Sequence, residues 1–205
     1  MVLITHCGEN CDKLNAILDA AQRRFGMYGY EKTSVSEIAA DLSMSKASIY
    51  YYFSDKGGLF MAVIDREHSE FVRMVEQECE PLTDPADMLR AYVRVNIGFF
   101  RKLLNLTRVK HAEVMHNKEI HQMICQLRQN EQAILEKVLA SGTDLGLFRI
   151  ADAKEMSELF LDLLRGLRRM VLGKKDVFYL NDDEFNSLVK KVEIFTEIFI
   201  KGISA

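Results

Sequence analysis

Apolar residues recur at intervals of three and four along almost the whole chain, and no convincing run of alternating apolar and polar residues interrupts them. This spacing places apolar side chains on one face of an α-helix. The 205 residues include only two prolines, Pro81 and Pro85, and both lie in the segment EPLTDPAD. The sequence therefore predicts an all-α fold, with one helix ending just before this segment and another beginning inside it.

The composition is typical of a water-soluble globular protein. Hydrophobic residues make up 48% of the chain and charged residues 28%, and no apolar run is long enough to cross a bilayer. The leading segment MVLITHCGEN lacks the basic flank and long apolar core of a signal peptide. The four cysteines, Cys7, Cys11, Cys79 and Cys125, are too scattered for a disulfide framework. We therefore expect a cytoplasmic protein that does not bind membranes.

Two groups of possible metal ligands occur, and neither has the pattern of a metal site. The tail segment HCGENC supplies three ligands, whereas structural zinc normally takes four. In the centre, histidines five residues apart on a helix are rotated by about 140°, although two glutamates lie three residues from the middle histidine. We expect a frayed tail over 1–10, a solvated central surface, and no metal or cofactor. The residues are His6, Cys7 and Cys11 in the tail, and His111, Glu113, His116, Glu119 and His121 in the centre.

Residues 34–53 predict a helix-turn-helix. Ser34 and Glu37 form a capping box, in which each side chain satisfies an unpaired N–H group at a helix start. This helix reaches about Leu42, and after a short turn Ser45 caps the next helix. Two short helices joined by a tight turn are the common form of this motif.

Longer amphipathic helices are predicted on either side of the motif. The segment after Asp84 is a strong helix start, because Asp84 is a good cap and Pro85 suits the first helical position. The predicted helices are 14–25, ended by Gly26 and Gly29; 55–79, capped by Ser54 or Asp55; 86–104; 106–116; 118–140, followed by a loop at Gly142 and Gly146; one opened by Asp152; and one opened by Asp182 or Asp183.

The helix that follows Ser45 has an unusual exposed face. With Ile49 and Phe53 pointing into the core, a helical wheel turns Ala47, Ser48, Tyr50 and Tyr51 outward and places Lys46 and Tyr52 at the edges. Small residues let a helix approach base edges in the major groove, and tyrosine hydroxyls donate to phosphates without adding net charge. Lys46 and Lys56 can add ionic contacts. This face is therefore predicted to bind DNA.

Residues 12–60 resemble the TetR family of bacterial one-component transcription regulators. The family pattern is matched by Ile38-Ala39, by SKASIYYYF from Ser45 to Phe53, and by Lys56 and Leu59. The resemblance implies an N-terminal three-helix DNA-binding domain, 1–58, and a larger helical domain for ligand binding and dimerisation, 59–205. It implies base contacts from Lys46 and Ala47, and base or phosphate contacts from Tyr50. The other implied DNA-binding residues are Ser36, Ser45, Ser48, Tyr51, Tyr52 and Lys56.

The chain departs from the family pattern at two places. Ser43 stands where the family usually has glycine in the turn, and a positive φ without glycine costs about 1 kcal/mol. Gly57 and Gly58 replace better helix formers, at about 1 kcal/mol each inside a helix. The first departure concerns the geometry of the turn, and the second is expected to loosen the hinge between the two domains.

The resemblance also implies a small-molecule effector site between helices of the larger domain. Such sites combine an apolar wall with a few polar groups. Taken singly, each candidate is expected to be an ordinary core residue, and it is the resemblance that favours a ligand site. The candidates are Tyr92, Asn96, Phe99, Phe100, Met115, Met123, Cys125 and Leu127.

The last two helices are predicted to form a homodimer interface. The final helix carries Ile194 and Ile198 away from its main apolar stripe, and a helix that is apolar on more than one side is covered on more than one side. A partner subunit would provide that cover. Within 152–203 the predicted interface residues are Leu159, Leu163, Leu167, Val192, Phe195 and Phe199.

The sequence thus predicts a homodimeric, sequence-specific DNA-binding regulator and no enzyme, because no nucleophile and base constellation or phosphate loop occurs. In the family it resembles, such a protein is most often a repressor, released from a palindromic operator in double-stranded DNA by a small molecule. The alternative is a helical ligand- or metal-binding protein whose helix-turn-helix serves protein contacts.

Overall fold

The computed structural model describes residues 9–102, 117–172 and 181–205. Within these ranges the chain is α-helical, apart from turns and one isolated antiparallel bridge between Phe148 and Ser204. The predicted all-α fold is confirmed. The helices are α1 (Glu9–Tyr28), α2 (Val35–Asp41), α3 (Lys46–Tyr50), α4 (Lys56–Cys79), α5 (Pro85–Lys102), α6 (Lys118–Asp144), α7 (Ala153–Leu172) and α8 (Asp182–Ile203).

Several predicted helix ends differ from the observed ones. Gly26 and Gly142 lie inside α1 and α6, and each helix ends nearer a glycine of positive φ, Gly29 at 82° and Gly146 at 71°. A glycine of positive φ ends a helix because that conformation strains any residue with a Cβ, whereas a glycine of helical φ costs only about 1 kcal/mol. The predicted helix 106–116 lies outside the described residues.

Gly142 has a packing reason to be glycine. A Cβ atom at this position would lie 2.1 Å from Cδ2 of Phe148, whose ring is buried. Phe148 follows the turn that ends α6, and its amide donates to the Gly142 carbonyl at 3.0 Å. The glycine therefore lets the chain fold back tightly over the last turn of α6.

The helix caps follow local chemistry. Ser34 and Glu37 form the predicted capping box. Asp84 accepts from the amide of Ala86 at 2.8 Å, and Asp152 accepts from Lys154 at 2.8 Å. The start of α8 differs from the prediction, because Asn181 is its cap and accepts from the Glu184 amide at 2.9 Å.

The described residues fall into two compact units. Unit 1 contains 9–69 and 117–124, and unit 2 contains 70–102, 125–172 and 181–205. The chain passes from unit 1 to unit 2 within α4, and again within α6. Residues 58 and 59, where the sequence predicts a domain boundary, lie in the first turn of α4. Searched over these residues, no helix is both long and apolar enough to cross a membrane.

An aromatic cluster forms the centre of unit 1. The rings of Phe25 and Phe60 meet edge to face with centroids 5.0 Å apart, and Tyr30 lies 4.9 Å from Phe60. Ile38 and Ile49 are also fully buried. Complete burial of a side chain of this size contributes about 2 kcal/mol. The core thereby fixes α2 and α3 against α1 and the start of α4.

An ion-pair network joins α1 to α2 at the surface of unit 1. The guanidinium of Arg24 donates two hydrogen bonds to Asp41, at 2.6 and 2.7 Å, and lies 3.3 Å from Glu37. The hydrogen bonds from Arg24 lower the pKa of Asp41, and those from Ser34 lower the pKa of Glu37. Exposed pairs add little stability, but the bidentate geometry sets the orientation of the two helices.

The turn between α2 and α3 has left-handed backbone at Ser43, with φ of 52°. Its amide donates to the Ala40 carbonyl at 3.1 Å, and the next amide, of Met44, donates to Ala39 at 2.9 Å. Ser43 therefore adopts the positive φ for which the family usually has glycine. A non-glycine residue here stores about 1 kcal/mol of backbone strain.

Gly57 is explained by the cap of α4. Asp55 accepts a hydrogen bond from the Gly58 amide at 2.7 Å, so it caps the helix. A Cβ atom at Gly57 would lie 3.1 Å from the same Asp55 oxygen. Gly57 is buried, and the close approach of the cap favours the residue without a side chain.

Unit 2 is held by α5, α7 and α8. Phe160 packs on Phe199 with centroids 4.6 Å apart and on Phe195 at 5.4 Å. Arg90 donates to both oxygens of Glu197, at 2.7 and 3.0 Å, and so ties α5 to α8. The aromatic contacts supply apolar burial, while the bidentate pair fixes the register of the two helices.

We expect Ser43→Gly to raise the free energy of unfolding by about 1 kcal/mol, because glycine adopts positive φ without strain. Urea denaturation followed by circular dichroism measures the change. Ser36→Gly, on the exposed side of α2, is the matched control and should lower stability by about 0.5 kcal/mol. A Ser43→Gly protein less stable than the parent would contradict the strain argument.

Candidate nucleic-acid interface

α3 is anchored by one buried side chain and one cap. Ile49 is fully buried, and Phe53, predicted to point inward beside it, is half-buried. Ser45 accepts a hydrogen bond from the Ser48 amide at 3.1 Å and so caps the helix. The short helix therefore has one fixed face and one outer face.

The outer face carries four of the nine side chains that the sequence predicts to contact DNA. Tyr51 is 77% exposed and Tyr50 is 40% exposed. Lys46 and Ala47 are also exposed, and we call these four residues the α3 face. Of the other predicted contacts, Ser36 and Ser45 are exposed, whereas Ser48, Tyr52 and Lys56 are half-buried.

The three consecutive tyrosines have different surroundings. Nζ of Lys46 lies 5.5 Å from the ring centroid of Tyr50, a cation–π distance. The ring of Tyr52 meets that of Tyr51 edge to face at 5.1 Å. The Tyr52 ring thus packs against the Tyr51 ring, which is the most exposed of the three. The Tyr50 ring keeps the Lys46 ammonium group near the start of α3. The α3 face combines cationic, aromatic and hydroxyl groups suited to a phosphate-lined groove.

A groove beside α3 adds a residue that the sequence reasoning missed. This open groove, of about 440 Å³, is lined by Met44 of the turn, by residues in and next to α3, and by Lys13 of α1, which is exposed. Its ammonium group adds positive charge next to the serines and tyrosines. The sequence gives no signal for this, because Lys13 and α3 are some thirty positions apart. The lining residues are Lys13, Met44, Ser45, Ala47, Ser48, Tyr51 and Tyr52.

Lys56 has an internal role that the sequence reasoning did not include. Its Nζ donates to the Tyr30 carbonyl at 2.9 Å and lies 4.2 Å from the centroid of the Tyr30 ring. Burial, together with the nearby Asp55 and Glu31 carboxylates, raises the pKa of Tyr30. Lys56 therefore joins the start of α4 to the loop after α1.

The candidate effector residues in unit 2 are mostly buried. Tyr92, Phe99 and Phe100 of α5 and Leu127 of α6 are almost completely buried, and Cys125 is half-buried. Phe99 packs edge to face on Phe71. Met123 belongs to unit 1, and Met115 lies outside the described residues. The structure thus brings only part of the predicted set into one unit.

A polar cluster lies among these apolar side chains. Glu131 accepts hydrogen bonds from the Tyr92 hydroxyl, from Asn96 at 3.2 Å and from Arg165 at 2.9 Å. Burial and the Glu131 charge raise the pKa of Tyr92 well above its usual value. Asn96 is buried and also donates to the Tyr92 hydroxyl at 3.3 Å. We call Tyr92, Asn96, Glu131 and Arg165 the Glu131 cluster.

Arg168, one turn after Arg165, faces the same region. Its guanidinium carbon lies 5.7 Å from the centroid of Phe100, and burial lowers its pKa despite the attraction of Glu131. Sequence reasoning missed Glu131, Arg165 and Arg168. The available signal was two arginines three apart on the helix that carries Phe160 and Leu164 inward. Searched over the described residues, no group of three or more His, Cys, Asp or Glu could hold a metal.

The predicted interface residues divide into two groups. Leu159 and Leu163 are 49% and 42% exposed, and Leu167 is half-buried. Val192 and Phe199 are buried within the subunit, and Phe195 is half-buried in the same aromatic cluster. The strongly exposed apolar residues nearby are Met170, Ile194 and Ile198.

Two family models together match most of the chain. The model described as bacterial regulatory proteins, tetR family, matches residues 17–63, and the model described as QacR-like protein, C-terminal region, matches 93–205. The first match contains α2, α3 and the turn between them. The second contains α8 and three members of the Glu131 cluster, Asn96, Glu131 and Arg165.

Individual proteins resemble the chain over nearly its full length. A crystal structure of a transcriptional regulator from Cytophaga hutchinsonii is 30% identical, covers 94% of this chain and 99% of its own, and has a TM-score of 0.78. The fatty acid metabolism regulator protein of Bacillus subtilis is 24% identical over 93% of this chain and 95% of its own. A putative transcriptional regulator from Saccharomonospora viridis, solved with choline, is 20% identical over 91% and 96%, with a TM-score of 0.73, and shares the fold.

The two lysines should respond differently to substitution. We expect Lys56→Gln to lower the free energy of unfolding by about 1 kcal/mol, since it removes a hydrogen bond to Tyr30 and a cation–π contact. Lys46→Gln, on the exposed α3 face, should change it by less than about 0.5 kcal/mol. Urea denaturation measures both, and equal effects would show that the Lys56 contacts contribute nothing to stability.

Proposed function

Since the chain belongs to the tetR family of bacterial regulatory proteins, we propose that it is a homodimeric repressor that a small-molecule effector releases from its operator. The chain is a helix-turn-helix, DNA-binding transcriptional regulator. The proposal concerns the DNA-contacting residues, the dimer interface and the effector. It assigns residues 1–58 to DNA binding and 59–205 to effector binding and dimerisation.

The α3 face is the observation that carries the proposal. Lys46, Tyr50 and Tyr51 project from a short helix whose opposite side is buried through Ile49. A helix of this kind can enter the major groove, where Lys46 reaches guanine or phosphate oxygens and Ala47 meets a thymine methyl. Lys13, at the neighbouring groove, is proposed to contact a phosphate. Base contacts select the sequence, and phosphate contacts position the helix on it.

A homodimer is proposed through the exposed apolar side chains of α7 and α8. On α7, Leu159, Leu163 and Met170 follow one another at helical spacing, and on α8, Ile194 and Ile198 are four residues apart. Removing such side chains from water on association is favourable. A two-fold dimer presents two α3 faces to successive turns of one side of DNA, about 34–36 Å apart. The operator is therefore proposed to be palindromic.

The effector is proposed to act through unit 2 and α4. Relatives support ligand control: one is named a fatty acid metabolism regulator, and another was solved with choline. An effector that binds more tightly to dimers whose two α3 faces do not match the spacing of successive DNA turns shifts the population away from the DNA-bound state. A tenfold loss of DNA affinity needs only about 1.4 kcal/mol of coupling.

DNA binding should depend on the α3 face. With DNA from upstream of the protein's own gene, we expect Lys46→Gln to weaken binding and to reduce the salt slope by about 1, since one phosphate or base contact is lost. Tyr50→Ala should weaken binding with little change in slope. Fluorescence anisotropy at several salt concentrations measures both quantities.

Lys137→Gln is the matched control, because Lys137 is an exposed lysine of α6 in unit 2. Its DNA affinity should equal that of the parent protein. If Lys46→Gln and Lys137→Gln weaken binding equally, the α3 face has no special role.

The dimer should depend on the exposed apolar residues of α7 and α8. We expect Leu163→Glu combined with Ile198→Glu to give a monomer at micromolar concentration, because charges would be buried in an apolar interface. Sedimentation velocity measures the mass. Met27→Glu is the control, because Met27 is 70% exposed but lies in unit 1. A parent protein that is already monomeric would overturn the proposed interface.

A further inference from the structure

Arg168 lies inside unit 2, unlike the arginine next to it. Its side chain is half-buried and stacks over the Phe100 ring, whereas Arg169 is exposed. Burial lowers the Arg168 pKa, although the side chain keeps some accessible surface. The guanidinium group of Arg168 has therefore lost much of its hydration, but part of its surface is still accessible to a bound ligand.

The Glu131 cluster does not supply that partner. The carboxylate of Glu131 already accepts from the Tyr92 hydroxyl, from Asn96 and from Arg165. Arg165 also contacts Asp162 at 3.3 Å, but that aspartate is 67% exposed, so its charge is screened by water. Within the described part of the chain, Arg168 makes no hydrogen bond to a side chain or carbonyl.

Counted over the described residues, the interior of this region therefore holds one more positive than negative charge. Glu131 is balanced by Arg165, and Arg168 is the second cation near the same carboxylate. Burying a charged group that lacks a hydrogen-bonding partner is unfavourable. A carboxylate can accept two parallel hydrogen bonds from a guanidinium and would remove this cost.

We propose that the effector is an amphipathic small molecule with a carboxylate, which Arg168 binds while the apolar part of the molecule lies against Phe100. This inference rests on the proposed control by an effector. It assigns Arg168 as the residue that favours a negatively charged ligand. A quaternary ammonium ligand is disfavoured, because Arg165 already pairs with Glu131 and Arg168 would repel the ligand.

The test compares ligands of equal chain length and opposite charge. Octanoate, decanoate and dodecanoate are titrated into the full-length protein by calorimetry, below their micelle concentrations, against alkyltrimethylammonium ions of the same lengths. At least one carboxylate should bind the wild type about tenfold or more tighter than its trimethylammonium counterpart. If no carboxylate in the series binds better than its counterpart, the proposal is overturned.

Substitutions at Arg168 locate the binding group. Arg168→Gln should weaken carboxylate binding about tenfold or more, and Arg168→Lys should have an intermediate effect, since lysine keeps the charge but not the bidentate geometry. Arg169→Gln is the matched control and should bind like the wild type. Carboxylate affinity that is unchanged in Arg168→Gln would overturn the assignment.

Thermal unfolding without ligand separates this role from a structural one. Because Arg168 makes no hydrogen bond or ion pair within the described residues, and its cation–π contact with Phe100 contributes only a small stabilisation, Arg168→Gln should melt within a few degrees of the wild type. A large loss of thermal stability would show that Arg168 holds the fold, which contradicts the proposal. Arg168→Lys keeps the charge and provides a second variant for the ligand titration.

DNA binding distinguishes failure of this inference from failure of the proposed function. Arg168→Gln should bind operator DNA like the wild type when no ligand is present, and the carboxylate should release only the wild type. If both proteins bind DNA and the carboxylate releases both equally, the assignment of Arg168 is wrong and the regulator stands. If the wild type binds no DNA, the proposed function fails, while the calorimetric result still decides the ligand class.

Discussion

Burial of Ile49 is the interaction on which the proposed DNA-binding surface depends. α3 has only five residues, too few to be stable alone, and Ile49 is its fully buried side chain. Because this one contact fixes the rotation of the helix, it also determines that Lys46, Ala47, Tyr50 and Tyr51 point away from the core. The Ser45 cap sets where the helix begins. The position of each group on the α3 face thus follows from one apolar contact and one hydrogen bond.

The features predicted correctly from sequence are those with local causes. The capping box at Ser34, the cap at Ser45 and the wheel around Ile49 each depend on residues within four positions of one another. Features that depend on contacts between residues far apart in the chain were not predicted from the sequence. Lys56 was expected to contact phosphate or neighbouring groups, and nothing in the sequence around it indicates that its ammonium group reaches Tyr30, 26 residues earlier. Lys13 beside α3 and Arg168 beside Glu131 were missed for the same reason.

In unit 2, exposed apolar side chains and half-buried charged side chains lie on different sides of α7. The first are proposed to serve dimerisation and the second effector binding. Its exposed apolar residues on α7 and α8 suit a partner of the same sequence, while Phe160 and Phe199 hold the two helices together inside the subunit. Arg165 and Arg168 lie on the inner side of α7, near Glu131. α7 thus joins the proposed dimer interface to the proposed effector site, so a ligand at Arg168 would act on a helix that also contacts the partner.

The central claim is that the α3 face reads a DNA sequence as a two-fold dimer. Selection of binding sites from a pool of random duplexes, followed by sequencing, tests it most directly. The account predicts enrichment of an inverted repeat whose half-sites are about one helical turn apart, which is the spacing of two reading helices on one side of DNA. A pool that stays random after repeated selection, or that yields a single unrepeated half-site, would contradict it.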